Sequence, residues 1–149
     1  MRSTRRFVFL SSLALLVGGA TVSSPEITAQ AVELLSGQEY AGTASPASVG
    51  HQYRVILHFK QGADGSLIVD IYSGGKGYEA AVRPLPGMYV RRDLKAEVSK
   101  SPTNFYLQLN LPWISQDRPA LVYKLTVSAD GRTIQETNGS NMLVSLVKP

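Results

Sequence analysis

The sequence predicts an all-β protein, an antiparallel barrel of about eight strands. Three observations point there. Apolar and polar residues alternate with period two over short runs, the signature of half-buried strands. Asp-Gly turn signals separate several of those runs. No segment shows a sustained helical period, so short strands and short loops must build the fold.

The clearest run is His51 to Lys60, where Tyr53, Val55, Leu57 and Phe59 share one face and Arg54, His58 and Lys60 the other, with Ile56 the one apolar residue among them. Asp64-Gly65 then turns the chain into Leu67 to Ser73, which alternates Leu67, Val69 and Ile71 against Ile68, Asp70 and Tyr72. The arrangement recurs where Leu121 to Ser128 passes through Ala129-Asp130-Gly131 into Thr133 to Thr137. Between the hairpins, Met88 to Arg91, Leu94 to Val98 and Phe105 to Leu111 read as strands; Glu39 to Ala44 precedes them, and Asn138-Gly139 turns the chain into Met142 to Val147. The pair Arg91-Arg92, followed by Asp93, reads as a solvated turn. The inward candidates Tyr53, Phe59, Phe105 and Tyr123 are bulky, which favours a filled interior over a cavity.

Ahead of this pattern stands an address. Arg2, Arg5 and Arg6 precede the apolar runs Phe7 to Leu10 and Leu13 to Val17, and Gly18-Gly19-Ala20 follows. A basic start and an apolar run too short to span a bilayer are the layout of a secretory signal peptide. Ala29-Gln30-Ala31 offers a small-x-small cleavage site, with a site near Ala20 as the alternative. The expected organisation is a signal peptide over residues 1–31 and a single barrel domain over 32–149. The protein would then be exported to the periplasm or beyond, with no stable membrane insertion after cleavage.

Composition excludes several functions. The chain has 149 residues and no cysteine, which removes disulfides, thiolate metal sites and thiol catalysis. Its net charge is +4, but the expected leader carries three arginines and Glu26; without them twelve basic and ten acidic residues remain, a net +2. That is too mild for a nucleic-acid footprint. His51 and His58 are seven apart on one strand, so they point to opposite faces and cannot share a metal. No Gly-x-Ser-x-Gly elbow or phosphate loop occurs. Asp64, Asp117 and Asp130 sit in turn-like contexts, while Asp70 and Glu97 fall on outward strand faces. No catalytic residue, cofactor or metal is therefore expected, and the chain reads as non-enzymatic, with an unrecognised hydrolase using two carboxylates as the lesser alternative.

Two loops could bind something. Ser73-Gly74-Gly75-Lys76-Gly77-Tyr78 is glycine-rich, and Leu111-Pro112-Trp113-Ile114 carries the only Trp. Tyr78 and Trp113 are the candidate ligand-binding residues, expected on an exposed rim where an aromatic ring can stack. Trp113 as a cap on the core is the competing role. The order Tyr40-x-Gly42-Thr43, Tyr53 to Phe59, Ala63 to Leu67, Ile71-Tyr72-Ser73, Tyr123 to Thr126 and Ala129 to Ile134 resembles the lipocalin-like β-barrel module of secreted bacterial proteins, often found ahead of α/β-hydrolase domains. Gln135-Glu136-Thr137-Asn138 departs from the Gly-Thr-Trp-like stretch usual there. The resemblance implies a calycin-like barrel acting as a binding or accessory module, with no catalytic residues to carry over. Its partner would be a small apolar ligand or an envelope protein.

Overall fold

The structure, a computed structural model, describes residues 21–46, 52–111, 121–136 and 142–147. The chain first forms a helix, α1 (Pro25–Leu35). Eight strands follow: β1 (Glu39–Pro46), β2 (Tyr53–Gln61), β3 (Leu67–Gly74), β4 (Tyr89–Lys100), β5 (Phe105–Leu111), β6 (Leu121–Val127), β7 (Thr133–Glu136) and β8 (Met142–Val147). Each strand pairs antiparallel with the next, and β8 returns to β1 to close the barrel. The all-β, antiparallel barrel expected from the alternation is the observed fold. Closure leaves every strand with two neighbours, which removes the exposed edges an open sheet presents.

The faces follow the sequence. Val55, Leu57 and Phe59 on β2, Leu67, Val69 and Ile71 on β3, and Phe105, Leu107 and Leu109 on β5 are buried in one interior core with Tyr40, Val98, Leu125, Val127 and Ile134. Tyr40 and Phe59 meet edge to face, their ring centres 5.6 Å apart. His58, on the opposite face from Leu57, is only half-buried. Each fully buried Leu, Val, Ile or Phe contributes roughly 1.5–3 kcal/mol by leaving water.

Three features differ from the sequence reading. The first is α1 itself, in a segment expected to be leader. Its start is well specified: the Ser24 hydroxyl accepts from the Ile27 amide at 3.2 Å, Pro25 opens the first turn, and Glu26 stands where the helix dipole favours an acid. Gly37, at φ 79°, ends it, and the Gly37 amide donates to the Phe59 carbonyl at 2.8 Å. Ala31, Val32 and Leu35 belong to the interior core, and α1 packs against β2, β3 and β4. It closes the barrel end that carries the β2–β3, β4–β5 and β6–β7 turns. A domain boundary between residues 31 and 32 falls inside this helix.

The second difference is in β4. Met88–Arg91 and Leu94–Val98 are not two strands around a solvated turn; β4 runs through as one strand. Asp93, at φ 59°, is a bulge, and the register against β3 shifts between Val69 and Ile71. The third is on the outer wall. Ile56 faces out, yet it is fully buried, because the β3–β4 loop folds back over it and forms a second small cluster with Ala41, Ala81 and Met88.

Candidate functional site

One barrel end is filled by α1. The other end, the mouth, is where β1, β3, β5 and β7 finish and β2, β4, β6 and β8 begin. Directly opposed residues of an antiparallel pair share a face, so the register identifies what lines the mouth. Tyr53 opposes Ala44 of the interior core, and Tyr123 opposes Leu109. Arg91 opposes Ile71, and Tyr89 opposes Ser73, whose other partner is Val55. A cation thus stands on the interior face of β4, level with apolar core. Its guanidinium lies 5.7 Å from the centre of the Tyr89 ring, a favourable cation–π placement. Tyr89 is half exposed at the lip.

The bulge puts Arg91 there. Leu94 opposes Val69, an interior residue. Strict alternation back from Leu94 would turn Arg92 and Val90 inward. The extra residue at the bulge shifts the parity, so Arg91 and Tyr89 turn inward and Arg92 turns out to Tyr72. There the Arg92 guanidinium donates to the Tyr72 hydroxyl at 3.4 Å.

An ion network holds the bulge. The Asp70 carboxylate accepts from the Asp93 amide at 2.8 Å. Lys60 lies 3.1 Å from Asp70 and 2.7 Å from Asp93. Asp70 faces outward as its strand parity requires, but these contacts bury it, with 4% of its surface exposed. A carboxylate is kept at such a site only when fully partnered. Hydrogen bonding to Lys60 holds the Asp93 carboxyl below its ordinary range, and hydrogen bonds to Asp93 and Asp70 push the Lys60 ammonium up. Asp70 therefore acts as a positioning residue for the mouth. The sequence offered no signal for this, because a bulge has no strong residue signature and Arg91-Arg92-Asp93 has turn-like composition.

The two residues picked from sequence fare differently. Tyr78 is not an exposed rim aromatic. It is half-buried against the outer cluster around Ile56, and its hydroxyl donates to the Pro86 carbonyl at 2.9 Å. The Arg54 side chain ties the same loop down by donating to the Ala81 carbonyl at 2.6 Å. Gly74 and Gly87 press against the Tyr78 ring and hydroxyl, so these glycines serve close packing as well as irregular backbone. Trp113 lies outside the described residues. His51, Asp117 and the Asn138-Gly139 turn also lie outside them.

Asp64 and Asp130 have structural partners. Asp64 accepts from the Ser66 amide at 3.1 Å and pairs with Lys95 at 3.3 Å. The Ser66 hydrogen bonds, followed by Lys95, bring its carboxyl down to about 2. Asp130 accepts from the Ser128 hydroxyl at 2.7 Å and the Arg132 amide at 3.1 Å. Among the described residues no group of three or more His, Asp or Glu is placed to hold a metal, and no helix is long and apolar enough to cross a membrane. Comparison of the chain with protein-family models, curated proteins and solved structures returned no match.

Proposed function

We propose that this chain is an exported, non-catalytic binding module that takes a small ligand with an apolar body and an acidic group at the mouth of its barrel. The observation that carries the reading is Arg91, held on the interior face of β4 by a bulge, beside apolar core and the Tyr89 ring. A guanidinium carries five N–H donors, so Arg91 can keep the contacts it makes within the fold and still donate to a carboxylate or a related anion. Tyr53 and Tyr123 supply flat amphipathic surface nearby. The opposite end is closed by α1. A small ligand is favoured because the interior face carries bulky side chains such as Tyr40, Phe59 and Phe105. Consecutive up-and-down strand order supports the lipocalin-like resemblance. The basic, apolar N-terminus supports export, and a leader ending near Ala20 leaves α1 in place.

Calorimetric titration with benzoate and octanoate, set against benzyl alcohol and octanol, tests the proposal. The acids should bind and the alcohols much more weakly. Arg91→Gln should weaken acid binding by about tenfold or more, the worth of a charged hydrogen bond. If neither acid binds, or if Arg91→Gln binds them as well as the parent protein, the reading fails.

A second reading, docking on an envelope protein, has its own observation. Val82, Leu85 and Tyr89 are the exposed large apolar residues among those described, and all fall on the β3–β4 loop and the start of β4. Loss of a pulled-down envelope partner in Val82→Asp, with acid binding intact, would favour it.

A further inference from the structure

On the outer wall, away from the mouth, β4, β5 and β6 bring together residues far apart in the chain. Glu97 opposes Gln108, which opposes Lys124. In the next row Ser99 opposes Tyr106, which opposes Thr126. All six face outward, since Val98, Leu107 and Leu125 between them lie in the interior core. The first row places an amide between a carboxylate and an ammonium; the second places a tyrosine between two hydroxyls.

A wall stands along one side. Pairing of β3 with β4 ends at Ile68 and Lys95, and the chain ahead of α1 takes over the edge β3 leaves. The Val22 amide donates to the Lys100 carbonyl at 2.9 Å, the Lys100 amide returns the bond at 2.8 Å, and the Ser23 hydroxyl donates to the Val98 carbonyl at 2.7 Å. Thr21 and Ser23 therefore border the two rows, and with Glu97, Ser99, Tyr106, Gln108 and Lys124 they line an open groove of about 330 Å³. That volume falls at the lower end of the range for small-ligand sites.

The chemistry of the groove selects its occupant. Tyr106 is the one aromatic among the lining residues; beside it stand three hydroxyls, an amide and two opposite charges, with Val98, Leu107 and Leu125 adding apolar surface. A ligand with no polar groups would suit the apolar part of this lining but leave the hydroxyls, the amide and the charges without hydrogen bonds, so the mixed surface favours an amphipathic molecule. An anion would meet Glu97 and a cation Lys124, so the row favours a neutral molecule. An extended peptide has no free edge here, because residues 21–23 already occupy it. A sugar ring has what remains: a C–H face to lie on an aromatic ring, and a rim of hydroxyls that both donate and accept. We infer that this groove binds a neutral saccharide, at a site separate from the mouth.

Titration of the protein with maltotriose, cellotriose and triacetylchitotriose by calorimetry tests this, with the melting temperature of each variant measured alongside. At least one trisaccharide should bind. Tyr106→Ala should weaken it by about tenfold or more through loss of the stacking face. Gln108→Ala should weaken it less, and Arg91→Gln should leave it unchanged. Because Tyr106 is half-buried, Gln108→Ala keeps the test decisive if Tyr106→Ala fails to fold. Absence of binding by all three sugars overturns the inference, as does binding that survives the groove substitutions or is lost with Arg91→Gln.

Discussion

Ala63-Asp64-Gly65 and Ala129-Asp130-Gly131 are the same tripeptide at the same end of the barrel, and locally they are built alike. Both glycines have positive φ, 83° and 70°, and each Asp accepts from the amide two residues on, at 3.1 Å. Their surroundings diverge. A side chain added at Gly65 would meet nothing, whereas one at Gly131 would come within 2.9 Å of Leu34 on α1. The Gly131 carbonyl also accepts from the buried Tyr40 hydroxyl. Equal turn chemistry thus serves a free hairpin in one place and a seat for the helix in the other. Local sequence specifies the turn; the element packed on it decides how much the turn matters.

The strongest way to break this asymmetry is to loosen α1. Leu35→Ala should cost about 2–5 kcal/mol, as truncation of a fully buried leucine does, and it should shrink the difference between the two turns. Chemical denaturation of the variant, alone and combined with each glycine substitution, measures both effects. A loss below about 1 kcal/mol would mean that the helix is not part of the cooperative fold.

The glycine pair sharpens the comparison directly. Gly65→Ala carries backbone strain alone, of order 1–3 kcal/mol. Gly131→Ala adds the encounter with Leu34 and should be the more destabilising of the two. Equal losses by denaturant melts would show that Leu34 simply moves aside.

An effect no larger than that at Gly65 is expected at Tyr40. Tyr40→Phe leaves the Gly131 carbonyl without its donor and should cost about 1–3 kcal/mol, with no counterpart at the other turn. Burial, then the Asp130 carboxylate, pushes the Tyr40 phenol up to about 12. A raised value means the fold favours the protonated phenol. Its contribution is complete below the ordinary tyrosine value near 10 and is lost as pH rises from there through about 12. Alkaline melts should show a decline in that window that is shallower in Tyr40→Phe. Identical profiles would remove the linkage.

What the sequence revealed follows the same division. The alternation from Tyr53 to Phe59 and from Phe105 to Leu111 was legible because period two and the buried face coincide there. The turn roles of Gly65 and Gly131 were legible because few other residues tolerate that backbone. Ile56 was misleading: its parity points outward, and only the return of the β3–β4 loop buries it. Tyr78 was misleading for the same reason, since the loop that carries it packs rather than projects. Helix α1 was hidden behind a plausible leader, although Ser24, Pro25 and Glu26 spell a helix start. Arg91 and the outer groove were out of reach. The first depends on a one-residue shift in parity, and the second assembles Glu97, Gln108 and Lys124 from three strands.

The seam between β1 and β8 has a consequence for how the molecule comes together. Ala41 pairs with Val147 and Pro46 with Met142, so the first strand waits for the last one before the wall is complete. Contacts so distant along the chain carry a large loop-closure cost and slow folding. Until β8 arrives, β1 and β7 present unpaired edges that can recruit a strand from another molecule. A chain nicked ahead of Met142 should therefore be lost chiefly by self-association rather than by loss of its interior core.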